Sequence, residues 1–157
     1  MYKLKELKPE KVFGFFEEMS QIPRTSGDEK KISDWLVDFA KERNLEVYQD
    51  EVLNVIIRKP GTPGYENFPG VIIQGHMDMV GEKSKESTHD FSNDPINLRI
   101  DGDYVYATDT TLGADDGIAV AYGLAILDSD DIPHPPLELL VTTSEETGMN
   151  GAIDLDA

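Results

Sequence analysis

The chain has 157 residues, an apolar fraction of 39% and 31 Asp and Glu against 14 Lys and Arg, giving a formal net charge of −17. This length fits one domain or part of one, and the acidic balance argues against nucleic acid and anionic membranes as partners, which need clustered basic residues. The absence of cysteine excludes disulfides and thiolate metal sites. We see neither a signal-peptide core nor a transmembrane run, and we therefore predict a cytoplasmic protein.

The first third of the chain predicts two helices followed by two short strands. Residues 9–21 carry apolar side chains at helical spacing. A second helix follows, and either Ser26 or Asp28 can cap it. Its apolar face would consist of Ile32, Trp35, Leu36 and Phe39. Strands are predicted at 45–49 and 53–59.

The remainder alternates apolar strands with one further helix. Residues 71–76 form a continuous apolar run, which is typical of a strand buried on both faces. A hairpin is predicted around 101–103, a helix over 117–129 and another buried strand at 137–143. The order predicts an α/β fold with a mixed, mostly parallel sheet. In such sheets the chemistry collects beyond the carboxyl ends of the strands.

The first of three polar clusters ends the apolar run VIIQGHMDMV, residues 71–80. Residues i and i+2 of an extended chain point to the same side, so His76 and Asp78 can share a face. A metal-bound imidazole needs its second ring nitrogen held by an acceptor, which Asp78 is placed to help organise. The alternative is a polar strand end with a hydrogen-bonded pair.

The second cluster is TDTTLGADDGIAVA, residues 108–121, in which Asp115 and Asp116 precede an apolar helix. Capping of that helix is one interpretation. The other is that Asp115 bridges two cations through its two oxygens, because a pair of cations about 3.5–4 Å apart can activate a water.

The third cluster is TTSEETGMNGA, residues 142–152, in which Glu145 and Glu146 directly follow a predicted strand. In a turned loop one glutamate could ligate a metal while its neighbour reaches the metal-bound water; the alternative is a solvated acidic loop. Together the clusters supply one histidine and several carboxylates, a donor set suited to zinc, manganese or cobalt. We interpret His134 as a loop residue and give His89 a surface or structural role.

The motifs GHMDMV, TTLGADDGIA and SEETGMNGA, in that order, resemble the signatures of the M20 family of co-catalytic zinc peptidases. The HMDMV form is most similar to the aminoacyl-histidine dipeptidase branch of that family. The resemblance also includes IPRTSGDEKKISDWLVDFAKERNLEV and KPGTPGYEN upstream and HDFSNDPI downstream, and so covers essentially the whole chain.

The resemblance implies a role for each residue of the clusters. His76 would ligate one metal, Asp115 would bridge two, and Glu146 would ligate the other. Glu145 would be the general base, and Asp78 would orient His76. The cofactor would be two divalent cations, zinc first, with manganese or cobalt as alternatives. The resemblance also predicts a cis peptide bond between Asp115 and Asp116.

For the protein as a whole, the resemblance implies a three-layer α/β/α zinc-peptidase-like catalytic domain that hydrolyses Xaa-His dipeptides and forms a homodimer. Residues 1–157 would be the N-terminal part of that domain. The lid domain, a further aspartate ligand and a C-terminal histidine would be absent, since Asp154 and Asp156 come too early to match the aspartate. We then expect an inactive isolated chain with an apolar sheet edge exposed. A related amidohydrolase or deacylase, and a non-catalytic metal-binding or interaction module, are the alternative functions.

Overall fold

The computed structural model of the protein describes residues 4–155, so Asp156 lies outside the described residues. Its elements, in chain order, are a 3-10 turn at Leu4–Glu6, α1 Glu10–Met19, α2 Lys30–Glu42, β1 Glu46–Gln49, β2 Val55–Lys59, β3 Val71–His76, β4 Leu98–Asp101, β5 Tyr104–Ala107, α3 Ala114–Leu127, β6 Leu137–Thr142 and α4 Asn150–Ile153. The predicted helices and strands are all present, including the hairpin β4–β5. Within this range no helix has the length and apolar character needed to cross a bilayer.

Four strands form the main sheet, in the order β1-β2-β6-β3. Strands β3 and β6 run parallel, whereas the pairs β1–β2 and β2–β6 are antiparallel. The sheet is therefore mixed, as predicted, although most of its described pairings are antiparallel. The β3–β6 register aligns His76 with Thr142 and brings the carboxyl ends of both strands to the same place.

Helices α1, α2 and α3 share one hydrophobic core with a single face of the sheet. Residues on that face alternate along the strands, as side chains in a β-sheet must. They are Val55 and Ile57 of β2 and Leu137, Leu139 and Val141 of β6. The predicted stripe of α2 is confirmed: Ile32, Leu36 and Phe39 are buried and Trp35 is half-buried. The described residues thus supply the sheet and one helical layer, and a second layer stays a prediction.

Helix α3 packs closely on the sheet because of Gly123. A Cβ atom at this position would lie 2.4 Å from Cδ1 of Leu139. The first turn of α3 is irregular, with non-helical torsions at Asp115 and Asp116, so the continuous helix begins at Gly117, as predicted.

The predicted cap of α2 is wrong. The N-cap residue is Glu29, and no side chain caps the helix. The Ser26 hydroxyl instead donates to Oδ2 of Asp78 at 2.7 Å, and Asp28 belongs to a turn in which its N–H donates to the Thr25 carbonyl. The serine is used for a tertiary contact, which local helix signals do not contain.

The prediction that β3 is buried on both faces is also wrong. Val71 is 46% exposed and Ile72 is 63% exposed, because β3 pairs with β6 on one side and lies at the sheet edge on the other. Only its carboxyl end, from Gly75 onward, is buried. The expectation of an exposed apolar edge is met by this strand.

Candidate metal centre

The candidate site lies where β3 and β6 end. His76 is the last residue of β3, and its partner in the register, Thr142, is the last residue of β6. Because the two strands are parallel neighbours, the segments that follow them begin at the same edge. Glu145 and Glu146 follow β6 and therefore lie close to His76.

The loop before α3 reaches the same edge because Gly75 has no side chain. A Cβ atom on Gly75 would lie 3.0 Å from Oδ2 of Asp116, and the backbone N–H of His76 donates to this oxygen at 3.4 Å. The peptide bond between Asp115 and Asp116 is cis, which confirms the prediction. Asp115 therefore lies over the end of β3.

Three of the predicted site residues come together. His76, Asp115 and Glu146 each offer one ligand atom, and these atoms all lie within 4.8 Å of one another. The Nε2 atom of His76 is 3.2 Å from Oδ1 of Asp115 and 3.8 Å from Oε2 of Glu145. His76 is buried, whereas Asp115 and Glu146 are exposed, so solvent reaches one side of the cluster. An imidazole and two carboxylates at this spacing form a donor set that fits a divalent cation.

Asp78 fixes the orientation of the imidazole. The Nδ1 atom of His76 is 3.2 Å from Oδ1 of Asp78 and 3.1 Å from the Asp78 carbonyl oxygen. With Nδ1 occupied in this way, Nε2 faces Asp115. This arrangement of imidazole and carboxylate is the one that orients a metal-binding histidine.

Asp78 also holds the glutamate loop, a contact that sequence reasoning missed. Its carboxylate is fully buried and accepts hydrogen bonds from the backbone N–H groups of Glu145, at 3.1 Å, and Glu146, at 3.3 Å. One carboxylate thus fixes both the histidine and the backbone of the two glutamates. The donors in these two hydrogen bonds are backbone N–H groups, which every residue except proline has, so the sequence carries no signal for the contact.

The crowding of carboxylates around one imidazole shifts the ionisation of the site. Burial lowers the pKa of His76, but the attraction of Asp78 and the hydrogen bond with Asp115 outweigh it, so the pKa lies above its usual value. Burial and the carboxylates of Asp115 and Glu145 raise the pKa of Glu146, against the attraction of His76. The cluster therefore favours positive charge at its centre.

Arg24 is a second residue that sequence reasoning missed. It is 2% exposed, and burial lowers its pKa to about 10 despite the attraction of Asp78 and Asp116. Its guanidinium donates to the carbonyl oxygens of Met77, at 2.9 Å, and Gly113, at 2.6 Å. Buried arginines are rare and require such partners, and no local pattern in the sequence marks them.

The other two histidines lie outside the cluster. His134 lies in a loop, as predicted. It is buried, and its Nδ1 is 2.7 Å from the Pro135 carbonyl oxygen. The ring of His89 packs edge-on against Phe91, with centroids 4.5 Å apart, which fits a structural role.

Known proteins resemble the chain over nearly all of its length. It is 44% identical over 155 residues to the cytosol non-specific dipeptidase of Escherichia coli, covering 99% of this chain and 32% of that protein. The crystal structure of aminoacylhistidine dipeptidase from Vibrio alginolyticus has a TM-score of 0.96 and 44% identity, with 99% and 32% of the chains covered. A more distant structure, a dinuclear metal-binding peptidase of the M20 family from Bacillus subtilis, shares the fold, with a TM-score of 0.51 and 14% identity over 89% of this chain and 40% of that one.

No protein-family model matches the chain. The chain spans about a third of the length of the first two relatives, 32% in each case. The chain is therefore related, over nearly all of its own length, to these two dipeptidases, and it shares its fold with a peptidase of the M20 family.

Proposed function

We propose that the chain carries the metal-binding and proton-transfer residues of a dipeptidase. The observation that supports the proposal most directly is the approach of His76, Asp115 and Glu146 to within 4.8 Å of one another. The identity to two dipeptidases supports the reaction class. The whole protein would cleave dipeptides, those ending in histidine included, in the cytoplasm and as a homodimer.

The proposed ligands are His76 for one divalent cation, Glu146 for a second and Asp115 for both. Zinc is the first choice because imidazole and carboxylate ligands suit it, and manganese or cobalt could replace it. When bound, such cations lower the pKa of a water and stabilise the negative charge that develops on the scissile carbonyl.

The chain's own residues would do the rest of the chemistry. Asp78 holds His76 so that Nε2, and not Nδ1, faces the ligand cluster. Glu145 places its Oε2 3.8 Å from that nitrogen without belonging to the ligand group. We assign Glu145 the role of general base, which takes a proton at Oε2 from the attacking water and returns it to the leaving amine.

Titration with Zn²⁺ tests the metal part of this proposal in the 157-residue chain. We expect His76→Ala and Glu146→Ala to weaken binding and Glu145→Gln to retain it, because only Glu145 lies outside the ligand set. Isothermal titration calorimetry and elemental analysis after dialysis provide the two readouts. Equal metal content in the His76→Ala variant and the unchanged chain would contradict the site.

The reaction needs a second test, in the full-length protein. An Xaa-His dipeptide should be hydrolysed and an N-acyl amino acid should not, and Glu145→Gln should abolish turnover while metal stays bound. Preference for the N-acyl substrate would instead establish a deacylase. Bound metal with neither activity would favour a non-catalytic binding module.

A further inference from the structure

We propose that the segment Arg24–Glu29, here called the brace, is a positioning element that sets the affinity and geometry of the metal centre. It does so by holding together the three segments that carry the ligands, here called the ligand loops: residues 76–78, 113–116 and 144–146. The inference rests on the proposed function of those loops. No brace side chain belongs to the ligand cluster itself.

Arg24 connects the first two loops. Its Nη1 donates to the carbonyl oxygens of Met77, at 2.9 Å, and Asp78, at 3.4 Å, just after His76. Its Nη2 donates to the carbonyl oxygen of Gly113 at 2.6 Å, two residues before Asp115. The guanidinium of Arg24 thus fixes the distance between the backbone next to His76 and the backbone next to Asp115. Its planar shape holds its N–H donors at fixed angles, which suits it to this role.

The chain is shaped to admit this guanidinium. A Cβ atom on Gly113 would lie 2.6 Å from Nη2 of Arg24, and one on Gly117 would lie 2.7 Å from the same atom. Gly113 also has a φ of +69°, which a residue with a side chain rarely adopts. The backbone around the Asp115 turn therefore leaves room for Arg24 that any larger residue would fill.

The remainder of the brace fastens the third loop. The Ser26 hydroxyl donates to Oδ2 of Asp78 at 2.7 Å, and so holds the carboxylate that accepts from the Glu145 and Glu146 backbone. Oε1 of the buried Glu29 accepts from both the backbone N–H and the hydroxyl of Ser144, each at 3.0 Å. Ser144 immediately precedes the two glutamates.

The cost of these contacts argues that they serve more than folding. Arg24 brings a cation into the interior, where an apolar residue of similar size is often as stabilising, and its Nε has no hydrogen-bond partner. Its donors go to backbone carbonyls and not to the ligand atoms of His76, Asp115 or Glu146. Arg24 consequently does not compete with a cation for the ligand atoms.

The test uses Co²⁺ alone as the probe, because its visible absorption reports coordination geometry while calorimetry reports affinity. In the 157-residue chain we expect Arg24→Met and Glu29→Met each to weaken Co²⁺ binding by about 10–100-fold, as losses of groups that orient ligands do, and to change the absorption bands. Arg24→Lys should restore part of the affinity, since it keeps the charge but not the fork.

Arg43→Met is the matched control. Arg43 is a partly buried arginine whose Nε donates to Oδ1 of Asp128 at 2.7 Å. Its guanidinium lies on the ring of Phe39 and contacts no ligand loop. We expect this variant to lose stability and to keep the Co²⁺ affinity and spectrum of the unchanged chain.

Each outcome decides the inference. If the unchanged chain binds Co²⁺ and the brace variants bind it with the same affinity and spectrum, the brace is merely structural and the inference is wrong, while the proposed metal site stands. If the unchanged chain binds neither Co²⁺ nor Zn²⁺, both fail. Should Arg24→Met not fold by circular dichroism, Glu29→Met and Ser26→Ala decide alone, and wild-type binding by both would overturn the inference.

Discussion

The substitution Asp78→Asn tests whether one buried carboxylate organises the whole centre. The Asp78 carboxylate is fully buried and meets four groups: the Ser26 hydroxyl at 2.7 Å, the N–H groups of Glu145 and Glu146 at 3.1 and 3.3 Å, and Nδ1 of His76 at 3.2 Å. Each oxygen takes two of them. An amide has only one oxygen, so its NH₂ group must face two of these groups without being able to accept from them.

The magnitude follows from this count. A hydrogen bond to a charged acceptor contributes about 1.5–3 kcal/mol, and a buried donor left without a partner costs about 1–3 kcal/mol. Two lost bonds, partly relieved by rotation of the Ser26 hydroxyl, give a loss of about 2–4 kcal/mol in the free energy of unfolding. Because the negative charge beside Nδ1 of His76 is also lost, Zn²⁺ affinity should fall about 10–100-fold.

Asp50→Asn is the control for this experiment. Asp50 is likewise buried, and its carboxylate accepts from the Val52 N–H at 3.0 Å and from the N–H and side-chain amide of Asn54, both at 2.8 Å. It contacts none of the ligand residues. Urea unfolding followed by circular dichroism should show comparable losses of stability for both variants, and calorimetry with Zn²⁺ should show weaker binding for Asp78→Asn alone. Unchanged Zn²⁺ affinity in Asp78→Asn, or an equal loss in Asp50→Asn, would refute the reasoning.

Three further predictions concern the scaffold, and all are measured by urea unfolding. Leu139→Ala should lower the free energy of unfolding by about 2–5 kcal/mol, because a fully buried leucine is replaced by a cavity. Gly123→Ala should lower it by about 1–3 kcal/mol through overpacking against Leu139, and the double variant should lose less than the sum of the two; strict additivity would show that the contact is not the cause. Burial raises the pKa of Asp128, but its hydrogen bonds with Lys11 and Arg43 outweigh this and lower the pKa below its usual value. A carboxylate with a depressed folded pKa stabilises the protein above its unfolded pKa, and this stabilisation is lost as the pH falls through the folded value. Asp128→Asn should therefore cost about 1 kcal/mol at neutral pH and nothing in strong acid, and a loss that does not vary with pH would contradict the assignment.

Much of the architecture was present in the sequence, because amphipathic periodicity is a local property. The stripe Ile32, Leu36 and Phe39 depends only on residues three or four positions apart, and the alternation of Leu137, Leu139 and Val141 depends only on residues two positions apart. The three polar clusters were also visible, since each directly follows an apolar strand or precedes an apolar helix. These local signals sufficed to predict the elements and to mark the three clusters, whereas the selection of His76, Asp115 and Glu146 as ligands came from the resemblance to the M20 peptidases.

Only the tertiary structure decided the position of each strand in the sheet and the hydrogen-bond partners of the buried polar side chains. The apolar run at Val71–His76 predicts a strand but not its place in the order β1-β2-β6-β3, which leaves it at the edge. Ser26 has the chemistry of a helix cap and instead donates to Asp78, 52 positions away, and Arg24 donates to Gly113, 89 positions away. A polar side chain takes whichever buried partner the packed chain offers it, so its contacts depend on strand order and loop closure, which no periodicity within one element encodes.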